Sequence, residues 1–214
     1  GEIMEKLMDT VVLMLEGSEV TLAIFCVTLV LALPLGILAA LGRLSPLSPL
    51  SRFMEFYIWL MRGTPLMLQL LFVYFALPMV GILLPDIAAA LLAFTLNYAA
   101  YFAEIYRGGI LSIDRGQTEA AVALGMPKGM CFLRIILPQV VKRVIPAVGN
   151  EVITLVKDTS LAFTIAVAEM FTIAKQLSSA NTTMVPLIAA GVFYYVFNFI
   201  VAWTMERIEK RLSY

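Results

Sequence analysis

The most constraining feature of this sequence is a series of long apolar runs. Residues 20–41 contain no Asp, Glu, Lys or Arg. A helix needs about 20 mostly apolar residues to cross the hydrocarbon core of a bilayer. The chain is 61% hydrophobic and only 14% charged, whereas soluble domains carry roughly 25% charged residues. The sequence therefore predicts an all-α integral membrane protein.

Five segments are predicted to cross the membrane. They are residues 20–41, 65–82, 86–106, 143–170 and 184–205, and the fourth is long and contains charges. Residues 52–61 ("RFMEFYIWLM") are predicted to form an amphipathic helix at the interface, leading into the second span. Gly63 and Pro65 are expected to separate that helix from the span, because proline breaks the backbone hydrogen-bond pattern of a helix.

The distribution of basic residues predicts the orientation of these spans. One side carries most of them, at Arg43, Arg52, Arg107, Arg115, Lys128, Arg134, Lys142, Arg143, Arg207, Lys210 and Arg211. The other side carries only Lys6 and Lys175. Because positively charged loops stay in the cytoplasm, the N-terminus is predicted outside and the C-terminus inside. The acidic start of the chain also argues against a cleaved signal peptide, which would begin with basic residues.

The composition excludes several kinds of site. The sequence has no histidine, and its two cysteines, Cys26 and Cys131, are far apart in the chain, so no metal site is expected. The formal net charge is zero, which gives no basic surface for nucleic acid. The dipeptide Gly-Lys is missing, so the phosphate-binding loop G-x-x-x-x-G-K-[ST] is absent. No catalytic residue and no cofactor are expected in this chain.

The polar stretch "TEAAVALGMPKG" (residues 118–129) is predicted to form parts of two short helices. Asp114 suits the N-cap of the first, and Gly125 suits its end. Pro127 suits the start of the second, which is predicted to run to about residue 138. Alanines at 120, 121 and 123 leave a smooth helix face that another surface can approach closely. The spacing of these residues alone is equally compatible with a plain connector helix that lies on the membrane.

The longer stretch "EAAVALGMPKGMCFLRIILPQ" resembles the EAA loop of permease subunits of ATP-binding-cassette (ABC) importers. Glu119, Ala120, Ala121 and Gly125 occupy the first part of that pattern. The Ile-x-Leu-Pro part falls on Ile135 or Ile136, Leu137 and Pro138. The resemblance implies that residues 108–138 dock into a cleft on a cytoplasmic ATPase and carry its motion to the spans.

Four further stretches resemble the polar amino acid branch of that family. They are "EGSEVTL", "RGTPLMLQ", "NYAAYFAEIYRGGI" and "PAVGNEVITLVKDTSLA". The resemblance implies the type I importer fold over residues 1–214, in a bacterial inner membrane, with two permease subunits around one pathway. The implied partners are a cytoplasmic ATPase dimer that holds ATP and Mg, an external substrate-binding protein, a polar amino acid and membrane lipid.

Polar residues within the predicted spans are candidates for the pathway, since each charge costs about 2.5–3.5 kcal/mol at a helix centre. Glu151, Thr154 and Asp158 share one helix face and are suited to an ammonium or guanidinium group. Lys157, one step around the helix, is suited to a carboxylate. Asn97 is a buried amide that needs partners. The open alternative is that these charges neutralise each other or bridge to a partner subunit.

Two arginines have simpler interpretations. Glu104 and Arg107 are spaced as an ion pair at the interface. Arg62 is expected near the cytoplasmic headgroups as an anchor.

Two other functions remain open from the residues alone. One is a secondary amino acid transporter coupled to ions through Glu151 and Asp158, although the chain is short, lacks histidine and has no evident inverted repeat. The other is a membrane scaffold for a cytoplasmic partner, which does not explain three charges in the fourth span. The acidic pair favours a basic amino acid, while Lys157 favours a zwitterion of any kind.

Overall fold

A computed structural model describes residues 2–212, apart from the side chains of residues 2, 3 and 5–7. The predictions for the acidic start of the chain and for Lys6 fall partly on residues 2, 5 and 6, whose side chains are outside this description. Helices make up 87% of the structure, with no strand in the described part, as predicted. In chain order they are α1 (Glu2–Arg43), α2 (Ser48–Gly63), α3 (Leu66–Met79), α4 (Asp86–Leu111), α5 (Arg115–Ala123), α6 (Lys128–Cys131), α7 (Leu137–Asp158), α8 (Met170–Asn181) and α9 (Val185–Leu212), with a π-helical turn (Phe132–Ile136) before α7 and a 3₁₀ segment (Thr159–Ile165) after it.

Three helices of the described chain are long and apolar enough to cross a membrane alone. They are Met8–Arg43 of α1, α4 and α9. Helices α2 and α3 pass the same test as a pair, but they are bent by 111° at the break between them. At 1.5 Å per residue α3 is about 21 Å long, too short for a core of about 30 Å. The chain thus has three candidate spans, or four if the bent pair counts as one.

The prediction of a continuous fourth span over residues 143–170 is wrong. Helix α7 ends at Asp158, and α8 begins only at Met170. The hydroxyls of Thr159 and Ser160 donate to carbonyls three residues earlier, a local bond that competes with the helix ladder where it turns 3₁₀. Ala166 then adopts a left-handed backbone with φ 59°, which ends the 3₁₀ segment.

The second loop helix also differs from its prediction, because it does not stop near residue 138. The chain is helical without interruption from Lys128 to Asp158. The N–H of Leu137 donates to the carbonyl of Phe132, five residues earlier. This wider turn makes room for the ring of Pro138, which in an α-helix would press on the carbonyl four residues before it.

Helix α4 is the centre of the fold and packs against α1, α2, α3 and α7. Its contact with α1 depends on small residues. Ala32, Gly36 and Ala40 follow one another every four residues along α1, and both alanines are buried. A Cβ atom on Gly36 would lie 2.8 Å from Cβ of Phe102 and 3.1 Å from the carbonyl oxygen of Ala99. Small residues at this spacing allow two membrane helices to approach closely.

Helix α8 begins at a carboxylate with no exposed surface, that of Glu169. Its Oε1 accepts hydrogen bonds from the N–H (2.7 Å) and the hydroxyl (2.9 Å) of Thr172, and its Oε2 accepts from the N–H of Phe171 (2.9 Å). Tyr194 of α9 donates to Oε2 at 2.6 Å, and Thr21 of α1 donates to it at 3.4 Å. One carboxylate therefore caps α8 and joins it to α1 and α9.

Replacing Gly36 with leucine is expected to push α1 away from α4 and to lower the free energy of unfolding by about 1–3 kcal/mol. The matched control is Gly191→Leu in α9, where nothing lies within 4 Å of an added Cβ. Thermal unfolding of the purified chain in detergent measures the difference. Equal unfolding temperatures for the two variants would contradict the close approach of α1 and α4.

Replacing Glu169 with glutamine puts an amide donor among groups that are themselves donors. The free energy of unfolding is expected to fall by at least about 2 kcal/mol, since hydrogen bonds to a charged group contribute more than neutral ones. The same substitution at Glu16, an exposed residue of α1, is expected to change stability by less than about 0.5 kcal/mol. Unfolding curves in detergent compare the two, and similar losses would argue against the capping role.

Candidate functional site

A cavity of about 440 Å³ lies between the start of α3, the middle of α4 and the C-terminal half of α7. Four of the five residues predicted for the pathway line it, namely Asn97, Glu151, Thr154 and Asp158. The remaining wall consists of Thr64, Pro65, Leu66, Tyr98, Tyr101 and Leu161. The structure therefore brings together side chains from three helices that are far apart in the sequence.

Two carboxylates of α7 give this cavity its charge. Asp158 accepts a hydrogen bond of 2.7 Å from the hydroxyl of Tyr98 on α4. Glu151, two turns earlier on the same face, has no hydrogen bond or ion pair with any described side chain. Thr154 lies between them, and its hydroxyl donates to the carbonyl of Asn150. The arrangement is suited to a cation, because two carboxylates and neither a lysine nor an arginine line the cavity.

Lys157 is not part of the cavity wall. Its side chain is exposed on another face of α7, unlike the other four residues predicted for the pathway, because adjacent residues of a helix point to different sides. No ion pair joins Lys157 to Glu151 or Asp158 within the described residues. The alternative in which these three charges neutralise each other therefore does not take the form of an ion pair within one chain.

Asn97 lines the cavity, but its amide is engaged in holding the break between α2 and α3. Its Nδ2 donates to Oε1 of Gln69 (2.8 Å) and to the carbonyl of Met61 (3.3 Å). Nε2 of Gln69 donates to the carbonyls of Met61 (3.0 Å) and Thr64 (3.1 Å) and to the hydroxyl of Thr64 (2.8 Å). The two amides thus satisfy carbonyls that the interrupted helix leaves free. Sequence reasoning missed this role of Gln69, although a lone amide in an apolar run just after a break was a signal.

An ionic cluster adjoins the cavity beyond Tyr101. Glu104 and Arg107 form the predicted ion pair, with oxygen–nitrogen distances of 2.6 and 2.9 Å. The guanidinium of Arg62 lies 5.6 Å from the centre of the Tyr101 ring and 4.0 Å from Glu104. Arg62 therefore contacts a residue of the cavity wall, a position that the anchor interpretation did not predict.

The first helix of the loop that carries the EAA-like pattern has the predicted ends. Asp114 caps α5 by accepting a bond of 2.7 Å from the N–H of Gly116. At the other end Gly125 has φ 79°, and the bonds Gly125 N–H to Val122 and Met126 N–H to Ala121 form a Schellman motif. Glycine is required at this position because its backbone is left-handed.

The four residues predicted to contact an ATPase do not all face outward. Glu119, Ala120 and Gly125 are exposed. Ala121 is only 4% exposed and packs in a cluster with Ile136 of the π-helical turn, so it holds α5 against the helix behind it. The exposed face also carries Leu124, a large apolar side chain that is 88% exposed and that the sequence pattern did not single out.

The loop is tied to α7 by polar contacts as well. The side chains of Gln117 on α5 and Gln139 on α7 exchange two hydrogen bonds, of 3.1 and 2.5 Å. Arg143 of α7 donates to the carbonyl of Ser112 at 2.6 Å. Because α7 also carries Glu151 and Asp158, one helix connects the loop to the cavity.

Comparison with known proteins gives a consistent result. Residues 32–214 match the family described as "Binding-protein-dependent transport system inner membrane component". The chain is 41% identical over 201 residues to the arginine transport system permease protein ArtQ of Bacillus subtilis (strain 168), with 93% of this chain and 92% of that protein covered. It is 35% identical over 199 residues to the L-cystine transport system permease protein TcyB of the same organism, with 92% and 85% covered.

Solved structures agree with this assignment. The crystal structure of an amino acid ABC transporter with histidines has a TM-score of 0.89 at 31% identity, covering 96% of this chain and 97% of that one. An inward-facing conformation of the MetNI methionine ABC transporter has a TM-score of 0.75 at 20% identity, over 94% and 97% of the two chains, which supports the fold alone. The chain therefore has the type I ABC permease fold and belongs to the family of inner membrane components of binding-protein-dependent transport systems, as its EAA-like loop indicated.

Proposed function

We propose that this chain is the permease subunit of an ATP-driven importer of polar amino acids, with a preference for basic ones. The observation that carries the proposal is the cavity with Glu151 and Asp158 in its wall, connected by α7 to the loop with the EAA pattern. Permeases named for arginine and L-cystine transport are similar over almost the whole chain, which supports an amino acid as the substrate.

The proposed topology has five crossings of a bacterial inner membrane by a single domain of residues 1–214. The crossings are α1, the bent pair α2–α3, α4, α7 and α9, with the N-terminus outside and the C-terminus inside. Helix α7 is too polar to be one of the apolar candidate spans. It packs between α4 and α9, and its face with Glu151 and Asp158 lines the cavity. A polar helix is tolerated in a membrane when its charges face a bundle interior or a watery pathway.

The proposed assembly has two permease subunits, identical or similar, around one pathway. Five crossings give too little wall to enclose a route for a solute in one chain. A cytoplasmic ATPase dimer, which holds ATP and Mg, docks on residues 108–138 through Glu119, Ala120 and Gly125, and Leu124 adds an apolar contact. Ala121 supports this surface from behind. A substrate-binding protein delivers the amino acid on the outer side.

The preference for a basic amino acid follows from the charges in the cavity. Glu151 and Asp158 contribute two carboxylates, and Lys157 does not reach the cavity wall. A guanidinium or ammonium group forms charge-assisted hydrogen bonds with such a carboxylate. Thr154 lies between the carboxylates and offers a hydroxyl group. No observation favours the ion-coupled carrier or the scaffold over a permease of the ABC type.

Replacing Asp158 with asparagine is expected to raise the KM for arginine uptake roughly 10- to 100-fold, because a charge-assisted hydrogen bond to the substrate is lost. Uptake of labelled arginine is measured in proteoliposomes that contain the complete transporter, its binding protein and internal ATP. The matched control is Lys157→Gln, the adjacent residue outside the cavity, with an expected change of less than about twofold. An unchanged KM in Asp158→Asn would remove Asp158 from the substrate site.

Replacing Glu119 with lysine reverses the charge of an exposed residue on α5 and leaves the buried face of that helix intact. Insertion into the membrane is expected to be normal, while capture of the ATPase and uptake are both lost. Glu16→Lys, the same change at an exposed position of α1, serves as the control. The measurement is ATP hydrolysis in samples purified through this chain, together with uptake in vesicles. Full ATPase recovery and normal uptake in Glu119→Lys would contradict the coupling role.

A further inference from the structure

A second cavity, of about 530 Å³, lies between the last turn of α4 and the loop helices α5 and α6. Most of its wall is apolar, and its apolar side chains are Ile110, Leu111, Ile113, Cys131, Phe132 and Ile136. Its polar side chains are Arg115, Thr118 and Lys128. None of these residues lines the cavity of α3, α4 and α7. They lie within the proposed docking segment 108–138, but they are distinct from Glu119, Ala120, Gly125 and Leu124, the residues proposed to contact the ATPase.

The two cations at this cavity have no partner of opposite charge. Arg115 and Lys128 are exposed and form no hydrogen bond or ion pair with another described residue. Arg134 and Lys142 of the same region also lack a described partner, but they lie outside the cavity. Arg143 and Arg107 are engaged, since Arg143 donates to Ser112 and Arg107 is paired with Glu104. The carboxylate of Asp114, the residue before Arg115, is engaged in capping α5 through the N–H of Gly116. The site therefore has an excess of positive potential that an anion would relieve.

The position of the cavity limits the kind of anion that fits. Its wall includes Ile110 and Leu111, the last residues of α4, which is a candidate membrane span. The cavity thus begins about one turn beyond the predicted span of residues 86–106, which is the depth of lipid headgroups. A small anion such as phosphate would leave the apolar wall uncovered, and a neutral lipid would leave Arg115 and Lys128 unpaired. An anionic amphiphile pairs its headgroup with Arg115 and Lys128 and covers the apolar wall with its chain.

We propose that this cavity binds one anionic phospholipid. The phosphate lies between Arg115 and Lys128 and accepts from the hydroxyl of Thr118, and the upper part of an acyl chain lies against Ile110 and Phe132. Basic pockets at the cytoplasmic ends of membrane helices favour anionic headgroups in this way. The bound lipid joins α4 to both loop helices and so stabilises the loop in one orientation. This inference rests on the proposed cytoplasmic position of the loop.

The test uses the complete transporter in nanodiscs that contain trace phosphatidylglycerol with a photoactivatable acyl chain. After illumination, mass spectrometry quantifies labelled peptides that contain Ile110 or Phe132. Labelling is expected to exceed that by a phosphatidylcholine probe with the same chain at least about fivefold. The double variant Arg115→Gln/Lys128→Gln is expected to reduce labelling by the phosphatidylglycerol probe about tenfold or more, since each basic residue near an anionic surface contributes on the order of a kilocalorie per mole.

The matched control is Arg134→Gln/Lys142→Gln, which removes the same charge from exposed positions of the same region outside the cavity. This control is expected to keep full labelling. Equal labelling by the two headgroups, or an equal loss in both double variants, would overturn the proposal. So would labelling that occurs in the isolated permease and disappears in the complete transporter, because the ATPase would then occupy the cavity. Labelling requires no transport, so uptake by the same samples tests the proposed function separately.

Discussion

The structure depends on one constraint: polar backbone groups that a broken helix leaves free inside a membrane protein must find partners within the protein. The chain has two such breaks. At the first, between α2 and α3, the amides of Gln69 and Asn97 bond the carbonyls of Met61 and Thr64. At the second, before α8, the carboxylate of Glu169 accepts the N–H groups of the first turn. Both breaks are therefore fixed in place by side chains of the protein.

These two breaks create the site. Thr64 and Pro65 follow the first break and Leu161 lies in the 3₁₀ segment after α7, and all three line the cavity that contains Glu151 and Asp158. A pathway at interrupted helices is a recurrent solution in transporters, because unwound backbone is tolerated where it lines a cavity. Helix α7 then connects this cavity to the loop that carries Glu119. In the proposed importer, ATP-driven motion at the loop and substrate binding at the cavity act on the same helix.

Several predictions depended only on neighbours in the chain, and these were confirmed. Asp114 caps α5, Gly125 ends it in a left-handed conformation, and Glu104 pairs with Arg107. The wrong predictions concern residues whose surroundings come from elsewhere. The fourth span was predicted as one segment from residue 143 to residue 170, yet its helix α7 ends at Asp158. The position of Glu169 near the end of that segment hid its role, because its partners Thr21 and Tyr194 lie on α1 and α9.

The sequence by itself determined the membrane class, the loop with its EAA pattern and the face shared by Glu151, Thr154 and Asp158, because hydropathy, capping and helical periodicity act over a few residues. Only the tertiary structure decided that Lys157 stays outside the cavity, that Ala121 is buried and that Asn97 serves a helix break. Those outcomes depend on which helices pack against α4 and α7. Close packing at small residues such as Gly36 sets these contacts, and it joins segments that are distant in the chain.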